Sequence, residues 1–139
     1  MFQATELICE ALLHRDIKCK VREKGGMSLV EVAFSGRNYA SVRLYFISNT
    51  EGNDVAVRAA ELVKFPPERL PKLYEACNEA NRKYRYVKFV VDPEKSVVNM
   101  EMDIPSRGEN VGAVAEELLI RAVAILDEVY PKLMQATWA

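Results

Sequence analysis

ERLPKLYEACNEANRKYRYVKFVVDPEKSVVNMEMDIP, residues 68–105, carries the clearest structural pattern in this chain. From Leu70 to Cys77 the apolar residues recur at the spacing of one helical face, and two prolines just ahead suit a first helical turn. The cations Arg82 and Lys83 suit the negative end of a helix dipole. These features predict a helix from about residue 67 to residue 83.

After this helix the apolar period changes to two residues. Val87, Phe89 and Val91 alternate with their neighbours, residues 92–95 have the composition of a turn, and apolar residues alternate again from Val98 to Ile104. The stretch therefore predicts a helix followed by an antiparallel hairpin.

The same periods predict the elements on either side. A first helix is expected from Phe2 to about His14, and a long last helix after Asn110, a plausible N-cap. Pro131 should bend or break that last helix near its end. Four strands are predicted at residues 17–22, 27–34, 39–47 and 55–65, with a turn at 49–53 and a connection at 106–110.

The order of predicted elements is therefore α-β-β-β-β-α-β-β-α. Strands in runs joined by short turns indicate an antiparallel sheet, so we predict a single α+β domain over residues 1–139. Its sheet should have about five to six strands, with the helices packed on one face.

Composition restricts the possible functions. Nineteen basic and twenty acidic residues leave a formal charge of -1, so no global field favours nucleic acid or an anionic membrane surface. No run approaches the roughly 18 apolar residues of a membrane span. Cys9, Cys19 and Cys77 are odd in number and lack CxxC spacing, which favours a reducing compartment over a disulfide framework or a zinc site. We expect a cytoplasmic protein without a cofactor or metal.

The helix and hairpin also carry a resemblance to a known family. Leu73-Tyr74-x-x-Cys77-Asn78-x-x-Asn81 stands ahead of YVKFVVDPEKSVVNMEMDIP, and together with the element order it resembles the YbjN family, whose fold is similar to that of class I type III secretion chaperones. Asn78 and Asn81 match the family's Asn pair, Asp92 its acidic turn, and residues 103–105 its Asp-x-Pro. The chain departs from the family pattern in two places. Pro93-Glu94 stands where the family turn often has glycine, and Cys77 and Ala80 are smaller than the family's usual apolar residues.

The resemblance implies a protein without catalytic activity. Members of the family are often dimeric adaptors or chaperone-like proteins, and some are described as sensory transduction regulators. By this resemblance Asn78 and Asn81 are family-motif residues, although asparagines near a helix end also commonly cap its last carbonyls.

Two other sets of polar residues have a functional and a structural interpretation. The basic and aromatic residues 82–88 have the composition of a single-stranded nucleic acid site, but the neutral chain and the helix dipole favour a structural role. Asn99, Glu101 and Asp103 share a strand face and could hold a hard cation, but an extended strand would need further ligands, which favours a solvated face.

Two surfaces are richer in apolar residues than solvent exposure requires. The predicted outward face of the sheet is a candidate protein interface, because aromatic residues there are interleaved with charges. Its candidate partner-binding residues are Tyr39, Tyr45, Ile47, Tyr86 and Val90. On the last helix, Leu119, Val123 and Tyr130 widen the apolar arc, which either the first helix or a second copy of the protein should cover.

We therefore predict a non-enzymatic adaptor or chaperone-like regulator that acts as a homodimer and holds a segment of a partner protein. The alternative is a small-molecule-binding or enzymatic domain with a pocket between helix and sheet, which a deep pocket lined by convergent ionisable groups would favour.

Overall fold

A computed structural model describes residues 2–49, 54–105 and 110–138. Within these residues the chain forms three helices and six strands in the predicted order, so the α+β class is confirmed. The helices are α1 (Gln3–His14), α2 (Leu70–Lys83) and α3 (Val111–Trp138), and a 3-10 turn, Pro67–Arg69, precedes α2. The strands are β1 (Lys20–Lys24), β2 (Met27–Phe34), β3 (Val42–Asn49), β4 (Asp54–Lys64), β5 (Lys88–Asp92) and β6 (Val97–Pro105).

The strands form one antiparallel sheet in the order β1-β2-β3-β4-β6-β5. Side chains alternate between its two faces. The inner face is covered by the helices and holds the largest buried side chains, among them Leu44, Phe46, Phe89 and Met100. We call the other face, which has no helix in the part of the chain that is described, the open face.

Three strands, β1, β3 and β5, begin later than the sequence predicts. β1 begins at Lys20 rather than Ile17, because the Ile17 N–H donates to the carbonyl of Leu12 at the end of α1 (2.9 Å). β3 begins at Val42 rather than Tyr39. Most of the predicted turn at 49–53, and all of the connection at 106–110 except Asn110, lie outside the described residues. The Asn110 carbonyl accepts from the Val114 N–H (3.0 Å), as expected at an N-cap position.

The predicted break of the last helix at Pro131 is wrong, because α3 continues to Trp138. A proline lacks the N–H that would donate to the carbonyl four residues earlier, here that of Asp127. The side-chain nitrogen of Asn38 donates to this carbonyl instead (Nδ2 to O, 2.9 Å). A residue from another element therefore satisfies the carbonyl that Pro131 leaves unpaired.

Much of the wide apolar arc of α3 is covered from within the chain. Both α1 and α2 pack against α3. At the crossing with α1, Gly112 lies so close that a Cβ there would be 2.6 Å from the Leu7 carbonyl oxygen. Leu119 is only 4% exposed, while Val123 and Tyr130 are half-buried. Of the two predicted covers, α1 does pack against α3, while Val123 and Tyr130 are contacted by Tyr39.

Candidate functional site

The centre of the open face combines apolar and charged side chains. Tyr45 lies between Glu31 of β2 and Arg58 of β4 in the cross-strand register. Ile47 lies one step along β3, between Leu29 and Ala56. Tyr45 and Ile47 are both half-buried and alternate with buried neighbours, so they occupy the outward positions that the sequence predicts.

Arg58 holds the acidic residues of β6 in place. Its guanidinium forms ion pairs with Asp103 (3.1 Å) and Glu101 (3.7 Å) and donates to the Met102 carbonyl (2.6 Å). Asn99, the third member of the predicted cation-binding set, accepts from the backbone N–H of Glu61 (2.8 Å). These polar groups therefore have partners from the chain itself, and no cluster of three or more metal-ligating residues occurs among the residues described.

An opening interrupts the sheet between β3 and β4. β3 pairs with β2 along all eight of its residues, but within the described residues it pairs with β4 only from Tyr45 to Ile47. The strands diverge because β4 bulges between Ala59 and Val63, where Glu61 has a φ of 54°. The first part of β3, residues 42–44, therefore has a strand neighbour on one side alone among the described residues.

We call this opening the β3–β4 slot. Its volume is about 400 Å³. Three tyrosines and several apolar and charged side chains line it: Tyr39, Ala40, Ser41, Val42, Arg43, Tyr45, Ala60, Glu61, Leu62 and Tyr130. Tyr45 belongs both to the open face and to the slot, so the two surfaces are continuous.

One wall of the slot is the loop between β2 and β3, residues 35–41, which is docked on α3. The backbone N–H of Asn38 donates to the Asp127 carboxylate (2.9 Å), and the Tyr39 hydroxyl donates to the Val123 carbonyl (3.2 Å). The Tyr39 ring packs against that of Tyr130, with 5.9 Å between centroids. Burial and the charge of Asp127 raise the pKa of Tyr39 to about 12, so its hydroxyl remains a donor at neutral pH.

The predicted outward position of Tyr39 is therefore wrong. Its side chain is 7% exposed and contacts α3, on the helix-covered side of the sheet. The alternation of apolar and polar residues continues through residues 39–41, but the chain leaves the sheet before Val42 to reach the helix.

Tyr86 and Val90 occupy different surfaces. Val90 is 39% exposed on β5 and lies on the open face, as predicted. Tyr86 precedes β5 with a φ of 71°, and its ring lies 5.6 Å from the Arg121 guanidinium of α3. Its predicted place on the outward face is wrong, because the strand begins only at Lys88.

The Asn pair of the family motif has one member with a structural role. Asn81 Nδ2 donates to the Phe89 carbonyl (3.0 Å), and its Oδ1 accepts from the Phe89 N–H (2.8 Å). Lys88 donates to the carbonyls of Asn81 and Tyr84 at the end of α2 (both 2.9 Å). Since β5 is an edge strand, Asn81 occupies backbone groups that would otherwise be open to another strand. Asn78 is exposed on α2.

The basic and aromatic stretch 82–88 is engaged within the chain. The Tyr84 hydroxyl donates to the carboxylate of Glu128 on α3, and this hydrogen bond raises the pKa of Tyr84. Together with the contacts of Lys88 and Tyr86, this interaction gives the stretch a structural role.

Two residues that shape the candidate site, Asn38 and Arg58, have no direct signal in the sequence. Pro131 inside a helical pattern indicates that the Asp127 carbonyl needs a donor, but it does not indicate that the donor is Asn38, 89 residues away. The slot likewise depends on where the β3–β4 ladder ends, which no local period predicts.

Comparison with protein families gives a match over nearly the whole chain. The YbjN family model, described as "Putative bacterial sensory transduction regulator", matches residues 4–133. No curated protein matches the chain. Among the helices of residues 2–49, 54–105 and 110–138, none is long and apolar enough to cross a membrane.

Proposed function

Because the chain belongs to the YbjN family, whose description is that of a regulator, we propose that it is a non-enzymatic protein that binds an extended segment of a partner protein. The segment lies along the open face and enters the β3–β4 slot. Proposed with it are a cytoplasmic location, where thiols such as those of the three free cysteines stay reduced, and a role that involves neither nucleic acid nor membrane.

The observation that carries this proposal is the short ladder between β3 and β4. An extended peptide beside residues 42–44 supplies the backbone partners that β4 provides further along, a mode of recognition known as β-augmentation. An apolar or aromatic side chain of the peptide fits among the three tyrosines of the slot. Aromatic side chains that pack at the centre of an interface commonly contribute most of the binding free energy.

We also propose that two copies of the chain assemble through α3. Ile120 is 49% exposed there, beside the half-buried Val123. Leu119 is buried within the chain, so it supports this surface from beneath rather than contacting a second copy. Light scattering over a wide concentration range measures the molar mass, and a monomer mass at every concentration would contradict the dimer.

The test of partner binding uses a display library of random peptides selected on the purified protein. Selected peptides should lose about 30-fold or more in affinity for Tyr45→Ala, as expected when an aromatic anchor is removed. The control is Tyr74→Ala, since Tyr74 is an exposed tyrosine on α2, outside the slot. Amides of residues 42–44 should gain protection from hydrogen exchange in the complex.

Two results would overturn the proposal. One is an equal loss of affinity in both variants, which would show that peptide binding does not depend on the slot. The other is a library without binders together with a thermal shift produced by a small metabolite, which would favour the alternative of a small-molecule site.

A further inference from the structure

Cys9 and Cys19 lie side by side although ten residues separate them in the sequence. Their Sγ atoms are 3.4 Å apart, and both side chains are partly exposed. Cys9 is in the middle of α1 and Cys19 directly precedes β1. The sequence, which lacks CxxC spacing, gives no indication of this pair.

The turn that brings the two thiols together is well defined. At the end of α1 the Ile17 N–H donates to the Leu12 carbonyl (2.9 Å) and the Asp16 N–H donates to the Leu13 carbonyl (3.0 Å). Asp16 has a φ of 59°, and this combination is the Schellman ending of a helix. Ile17 then packs against the core. The chain therefore reverses within a few residues and returns along α1, with Cys19 beside Cys9.

We propose that Cys9 and Cys19 are a thiol–disulfide modification site that reacts with a low-molecular-weight disulfide of the glutathione type. One thiol loses its proton, and its thiolate attacks a sulfur of the small disulfide, forms a mixed disulfide and releases the first small thiol. The second protein thiolate then attacks the mixed disulfide at the protein sulfur and releases the second small thiol. Two protein thiols are oxidised, and one small disulfide is reduced to two small thiols.

The geometry requires little rearrangement. A disulfide bond is about 2.05 Å long, so the two Sγ atoms must approach by about 1.4 Å. Burial, followed by the hydrogen bond with Cys9, raises the pKa of Cys19 to about 11, so the Cys19 thiol stays protonated in neutral solution. Both thiols are only partly buried, so a small disulfide can reach them.

The bond would connect α1 covalently to the start of β1. β1 is an edge strand whose residues are mostly exposed, and it pairs with β2 alone in the described sheet. Closing a short loop reduces the freedom of the unfolded chain, so oxidation should raise the midpoint of thermal unfolding by about 5 to 10 °C.

The test treats the reduced full chain with oxidised glutathione at about pH 8.5, where thiolates are more abundant. Free thiols are counted, the intact mass is measured, and peptides are mapped without reduction. We expect the loss of two thiols, a mass lower by two hydrogen atoms and a peptide pair linked through Cys9 and Cys19. Cys77→Ala should behave in the same way, because Cys77 is 4% exposed in α2 and does not take part.

Single variants separate this site from general thiol reactivity. Cys9→Ser and Cys19→Ser should each stop at a stable mixed disulfide with glutathione and show no rise in unfolding midpoint. The proposal is overturned if the unsubstituted chain also stops at mixed disulfides, if it forms only bonds between chains, or if the linked peptides contain Cys77.

Discussion

Strand β4 pairs with β6 on one side and with β3 on the other, and these two strand pairings, here called seams, differ in length. Towards β6 the pairing begins at Asp54 with Pro105 and, after the bulge, reaches Lys64 with Val97. Towards β3 it covers only the pairs from Tyr45 to Ile47 in the described residues. Both seams are rich in apolar residues, so hydrophobicity does not separate them. The difference comes from polar contacts on each side of the opening. The bulge of β4 is bonded to Asn99 of β6, and the 35–41 loop is bonded to Asp127 of α3. Such contacts show how a sheet can keep an opening in its middle.

The largest contrast should come from truncating one core side chain beside each seam. Met100 is fully buried on the long seam, next to Ala59 and Phe89, and Met100→Ala should lower the free energy of unfolding by about 2–5 kcal/mol. Val42 is half-buried at the slot, and Val42→Ala should cost less than about 1.5 kcal/mol. Urea denaturation measures both values, and equal costs would show that the slot is packed as tightly as the long seam.

An intermediate effect is expected from the contact that holds the loop on α3. Asn38→Ala should cost about 1–2 kcal/mol, because the Asp127 carbonyl loses its donor. In a Pro131→Ala background, where the helix itself supplies an N–H to that carbonyl, the same change should cost about 0.5–1 kcal/mol less. The control is Asn78→Ala on the exposed side of α2, which should be nearly neutral in both backgrounds. Strict additivity in this double-mutant cycle would contradict the role assigned to Asn38.

The smallest effect concerns the bulge itself. Glu61 has a left-handed φ of 54°, which costs less for glycine than for any residue with a Cβ. Glu61→Gly should therefore raise the free energy of unfolding by about 0.5–1 kcal/mol while the bond from its N–H to Asn99 is kept. Glu61→Ala removes the same carboxylate without relieving the backbone and should not stabilise. Thermal unfolding measures the stability of both variants. If Glu61→Ala also stabilises the protein, the effect comes from loss of the carboxylate charge and not from the backbone.

Most of the fold could be predicted because its elements follow local periods. The helix at Leu70–Lys83 and the hairpin after it appear where the period changes from about 3.6 to two. Errors occurred where a distant contact overrides such a period. Tyr39 continues the alternation of β3 but donates a hydrogen bond to the Val123 carbonyl on α3. Pro131 is expected to bend or break a helix that continues to Trp138 with the help of Asn38.

Less of the candidate site could be predicted. Tyr45, Ile47 and Val90 lie on the open face, because alternation alone fixes which side of a strand faces outwards. The slot depends on a bulge, a docked loop and the end of a ladder, all of which join residues far apart in the chain. The role of Asn81 was missed for the same reason, since its partner Phe89 lies on a strand whose open edge is known only once the strand order is known.

The bond between Asn38 and Asp127 also has a consequence for the order in which the protein matures. At ordinary rates of synthesis, the 89 residues between them take roughly 4 to 18 s to translate, and α3 must form before the loop has a surface to bind. Contacts over such sequence separations also form late because closing a long loop is entropically unfavourable. The strands beside the slot are therefore synthesised before the helix that holds its wall, and the slot is complete only when α3 is in place.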